Sequence, residues 1–68
     1  MPKRNLNRIK AALAEKNVTN RELAAELGKT EATVSRWCTN DMQPSIETLF
    51  EIAKIVGVDI RELLVSTK

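Results

Sequence analysis

Residues 18–28, VTNRELAAELG, leave few options for what the chain can fold into. Thr19 followed by Glu22 is the pattern of a capping box, in which each side chain satisfies a backbone N–H of the other at a helix start. Val18 just before that cap and Leu23 just inside it are spaced as a hydrophobic staple, which sets the angle of entry into the helix. Leu23, Ala24 and Leu27 then fall on one narrow face. Gly28 ends the segment, because a helix exit often needs a positive φ that glycine adopts without strain. Thr30 restarts the chain as a cap, so the spacing predicts helices over residues 20–27 and 31–39 joined by a tight turn at Gly28-Lys29-Thr30.

The second of these helices has two unlike sides. With ~100° per residue, Val34, Trp37 and Cys38 group together as the inward face. Ala32, Arg36 and Thr39 lie opposite, flanked by Thr33 and Ser35. An outward face of small polar residues around one long cation suits close approach to the edges of bases. A helix that only meets solvent usually carries several long charged side chains instead. Trp37 and Cys38 read as packing residues, since both belong to the inward face.

The rest of the chain frames this unit. A first helix is predicted over residues 6–16, with Asn5 as its cap and Leu6, Ile9, Ala12 and Leu13 on its inner face. Asn40-Asp41-Met42-Gln43-Pro44 reads as a loop. Ser45 caps a fourth helix over 46–56 whose apolar stripe is Leu49, Phe50, Ile52, Ala53 and Val56. Gly57 closes it. Val58-Asp59-x-x-Glu62-Leu63 repeats the staple and capping box and opens a short fifth helix over 60–65, where Val58, Ile60, Leu63 and Leu64 seal the bottom of the bundle. Ser66-Thr67-Lys68 reads as a frayed end.

Composition narrows the chemistry. With 68 residues and 3% aromatics, the chain has room for one domain, residues 1–68, with an aliphatic core, and its sparse turn residues favour an all-α class. It contains no histidine and one cysteine, which leaves no internal disulfide, no obvious metal site or cofactor, and little from which to build a catalytic constellation. No apolar run suits a signal peptide or membrane span, so the expected setting is the cytoplasm. The net charge of +2 is uneven: residues 1–40 hold eight Lys/Arg against four Asp/Glu, and residues 41–68 hold three against five. A basic half around the reading helix is what a phosphate footprint would show, and a solvated surface of mixed sign is the alternative. Lys3 and Arg4 are either a short basic arm toward nucleic acid or a solvated tail.

Ala24 four residues before Gly28 and Val34 six after it give the spacing of a bihelical DNA-binding unit. With VTNRELAAELGKTEATVSRW leading into QPSIETLFEIAKIVGVDIRELL, the chain resembles the helix-turn-helix family of Cro and phage-repressor type, also called the xenobiotic-response-element class. The resemblance covers Leu6 to Leu64. It implies a compact five-helix, lambda-repressor-like bundle that binds double-stranded DNA in a sequence-specific way as a transcriptional regulator.

Family positions that touch bases map onto Glu31, Ala32 and Arg36, and those near phosphates or bases onto Thr33 and Ser35. Arg36 matches the two acceptors of guanine, Ala32 offers apolar contact to a thymine methyl, and Glu31 either accepts from a cytosine amine or simply stabilises its helix N-terminus. Asn20 stands where the family usually has a glutamine against the DNA backbone, with a shorter reach. Arg21 beside it and Lys29 in the turn are further phosphate candidates. The resemblance also lays Asn40, Gln43 and Ser45 along the backbone.

Such proteins usually bind as two-fold dimers on palindromic sites, and the last helix is the expected homodimer contact. No small-molecule ligand is evident. An antitoxin or a restriction–modification controller would share this domain. A helical protein-interaction module is the alternative from another class, and it should expose aromatic, Leu or Met residues on the third helix.

Overall fold

The computed structural model describes residues 5–65. Four α-helices follow one another: α1 (Ile9–Lys16), α2 (Asn20–Leu27), α3 (Glu31–Cys38) and α4 (Ile46–Val56), with a final 3-10 turn at Ile60–Leu63. The architecture is all-helical, as expected, with one count corrected. The fifth helix is this single turn, because Leu64 leaves it extended and pairs antiparallel with Asn7.

The predicted caps of α2, α3, α4 and the final turn are in place. Thr19 accepts from the Glu22 N–H at 3.0 Å and Glu22 accepts back from the Thr19 N–H at 3.3 Å. Thr30 caps α3 through the Thr33 N–H, and Ser45 caps α4 through the Thr48 N–H. Asp59 and Glu62 form the second box. Gly28 stands at φ +67 and Gly57 at φ +81.

A Cβ at Gly28 would meet nothing within 4 Å. The cost of Gly28→Ala is therefore backbone strain alone, about 1 kcal/mol. Thermal melts should show the midpoint lowered by roughly 4–8 °C. Gly28→Asn should lose less, since asparagine enters the left-handed region more readily.

One cluster of buried residues joins every element: Ile9, Ala12 and Leu13 of α1, Leu23 and Ala24 of α2, Val34 and Trp37 of α3, Leu49, Ile52, Ala53 and Val56 of α4, and Leu63. Of the other residues expected in this core, Leu27, Cys38, Val58 and Ile60 pack against it partly buried, and three are exposed. Phe50 is 59% exposed, Leu6 47% and Leu64 40%. Phe50 lies about 100° around α4 from Leu49, off the stripe that faces the other helices. Leu6 and Leu64 belong to the extended segments where the two ends of the described chain meet: Arg8 N–H donates to the Leu63 carbonyl at 2.8 Å, and Val65 N–H to that of Leu6 at 3.4 Å.

That junction also shortens α1, which begins at Ile9 rather than at residue 6. Asn5 does not cap it. The Ile9 N–H donates instead to the Asn7 side-chain oxygen at 3.1 Å. Asn7 is the one buried polar residue of the chain's described part, and its amide donates to the Trp37 carbonyl at 2.9 Å and to Gln43 Oε1 at 2.8 Å. Lys3, Arg4 and the residues 66–68 lie outside the described residues.

Candidate nucleic-acid interface

The turn at Gly28 sets α3 against α2. The Lys29 N–H closes the end of α2 on the Ala24 carbonyl at 2.9 Å, and Thr30 opens α3 two residues after the glycine. Val34 and Trp37 drive α3 inward, at 0% and 4% exposure. The opposite side is consequently uncovered: Glu31, Ala32, Ser35 and Arg36 are all exposed. No hydrogen bond or ion pair engages the Arg36 guanidinium among the described residues, nor the side chains of Arg21 and Lys29, which are exposed as well. Three uncommitted cations thus border a ridge whose central residues, Ala32 and Ser35, are small.

The other predicted contact residues are placed differently. Thr33 is half-buried, and its hydroxyl shares a 2.9 Å hydrogen bond with that of Thr30. Ser45 is exposed but shares one with the Thr48 hydroxyl at 2.9 Å. Asn20 is half-buried at the start of α2, where its side-chain oxygen accepts from the Cys38 thiol across 3.6 Å. Burial pushes that thiol above its ordinary pKa, against a smaller downward pull from Lys10, so it stays a protonated donor. This leaves both hydrogens of the Asn20 amide nitrogen uncommitted.

Asn40 and Gln43 belong to an internal amide network. The Asn40 side-chain oxygen accepts from the Leu6 N–H at 2.9 Å, the Asn7 N–H at 3.0 Å and Gln43 Nε2 at 3.1 Å. Asn40 Nδ2 donates to the Asn7 carbonyl at 3.3 Å. Each amide nitrogen has used one of its two hydrogens, so each retains one N–H. Asn40 takes φ +61, a conformation asparagine tolerates, which turns the chain away from α3 into this loop. Asn7, the centre of the network, carries no signal in the sequence: its partners lie 30 to 36 residues away. The Cys38–Asn20 contact is likewise between helices and was not legible from spacing.

Among the described residues, no group of three or more His, Cys, Asp or Glu side chains could hold a metal ion, and no helix is long and apolar enough to cross a membrane.

Comparison with known proteins agrees with this geometry. The chain is similar over 88% of its length, at 53% identity and a TM-score of 0.87, to a solved structure described as a "putative DNA-binding protein from Bacteroides fragilis", of which it covers 97%. No curated protein matches the chain. The family model for helix-turn-helix proteins matches residues 9–63. That span contains α1 to α4 and the final turn, and the chain belongs to the helix-turn-helix family of Cro and phage-repressor type.

Proposed function

We propose that the chain binds double-stranded DNA in a sequence-specific way, with α3 in the major groove, and acts as a transcriptional regulator on palindromic sites as a homodimer. The observation that carries this reading is the uncovered ridge Glu31-Ala32-Ser35-Arg36, narrow enough for a groove and holding a guanidinium with no other partner. Arg36 reads a guanine through its O6 and N7 acceptors, Ala32 lies against a thymine methyl, and Glu31 meets a cytosine amine or only steadies its helix. Asn20, Arg21 and Lys29 hold phosphates at the start of α2 and in the turn. Thr33, Ser35, Ser45 and the remaining N–H groups of Asn40 and Gln43 line the flanks. The relative from Bacteroides fragilis supports the same reading through its name alone. No enzymatic activity enters the proposal.

Selection of random duplex DNA by the purified protein tests it directly. A palindromic enriched motif is the expected result, and no enrichment over the input pool would end the reading. Against the selected site, Arg36→Ala should cost about 1–3 kcal/mol and relax the preference at one base position. Asn20→Ala should weaken all sequences alike. A uniform loss for Arg36→Ala in the same titrations would reassign that residue to phosphate.

A further inference from the structure

Phe50 is one of two aromatic residues in the chain, and the fold leaves it 59% exposed. Ile46, one turn earlier on α4, is 60% exposed, and Met42 in the preceding loop 43%. At ~100° per residue, Ile46, Phe50 and Lys54 form one stripe along the flank of α4, at the edge of the face that carries Leu49, Ile52, Ala53 and Val56. Glu47 borders it. Neither Glu47 nor Lys54 has a hydrogen-bonding or ionic partner among the described residues.

We propose that this stripe is where a second copy of the chain docks, α4 against α4, antiparallel about a two-fold axis near Phe50. The proposal deepens the homodimeric reading above and rests on it. A two-fold contact must be complementary to itself, so each ion in it has to meet an opposite one. Antiparallel pairing centred on Phe50 stacks the two rings' flanks and lays the stem of Lys54 over Ile46 of the other copy, with its ammonium beside the other Glu47. A parallel pairing would instead set Lys54 against Lys54 and Glu47 against Glu47. The charges therefore select both the occupant and its direction.

Position agrees with this. Ser45, a proposed phosphate neighbour, directly precedes the stripe, so the proposed contact adjoins the end of α4 assigned to the duplex. The expected contact, the last helix, is a single turn whose Leu63 is spent in the core, and whose Arg61 is already paired with Asp59 at 3.1 Å.

Two helical turns per copy make a small interface, so association without DNA should be weak, with a Kd of about 10–500 µM. Sedimentation equilibrium of the full chain, without DNA and up to about 1 mM, reads it. Phe50→Asp should weaken the dimer at least ~10-fold while the circular dichroism spectrum stays unchanged, since the residue is exposed and outside the core cluster. Glu47→Lys and Lys54→Glu should each weaken it, and the two together should restore it to within ~3-fold of the wild type. A wild type that stays monomeric to that concentration, a Kd indifferent to Phe50→Asp, or a double swap no better than the single changes would each overturn the proposal. Because no DNA is present, failure here leaves the duplex selection to stand or fall by itself.

Discussion

Asn7→Ala is expected to remove about 2–4 kcal/mol of folding stability, measured as a lowered urea midpoint at unchanged slope. The side chain is 5% exposed and makes three hydrogen bonds that alanine cannot. Its loss leaves Gln43 Oε1 without a donor and the Trp37 carbonyl with the Asn40 N–H alone, and it strips α1 of the acceptor at its first turn. A domain of this size holds only about 3–10 kcal/mol in all, so a large part of the protein would be unfolded at 37 °C. Asn7→Asp separates the two roles. It keeps the acceptor for the Ile9 N–H, improved by a negative charge at the helix start, but cannot donate to Trp37 or Gln43. If Asn7→Asp were as stable as the wild type, the junction between the chain ends and the loop after α3 would contribute nothing, and the stabilising role would reduce to a helix cap.

Trp37→Ala should cost about 3–5 kcal/mol, comparable to the whole stability of so small a domain. The indole is 4% exposed and lies in the one core cluster, on the face of α3 opposite Ala32 and Arg36. Emptying that site removes what holds α3 down. Far-ultraviolet circular dichroism at 25 °C should show a chain largely unfolded in dilute buffer, and native-like ellipticity with an unfolding free energy lowered by under about 1 kcal/mol would show that the ring fills no essential space. Trp37→Phe, which keeps much of the apolar volume, should remain folded.

These two residues stand at opposite ends of what the chain's order makes visible. Trp37 was legible because a 3.6-residue period put it beside Val34 and Cys38. The caps at Thr19, Thr30, Ser45 and Asp59 were legible for the same reason: each satisfies an N–H two or three residues away. The uncovered ridge on α3 followed from the same wheel. Phe50 was misplaced by counting every apolar residue of α4 as one stripe; the angle between it and Leu49 already set it apart. Leu6 was misplaced because nothing in an amphipathic pattern marks where an extended segment gives way to a helix. The candidate contact residues divide likewise. Arg36, Ala32, Glu31, Arg21 and Lys29 depend only on which face of a helix or turn they occupy. Asn20, Asn40 and Gln43 have internal partners that no local spacing announces.

The order of residues alone determined the helices, their caps, the bend at Gly28 and the direction in which α3 turns its small polar face, because those are interactions within one or two turns of chain. Only the tertiary structure decided that Asn7 closes a clasp with Asn40 and Gln43 and that Leu64 runs extended beside it. Each of those depends on which helices meet and how far they overlap, and chain segments more than thirty residues apart carry no periodic trace of one another.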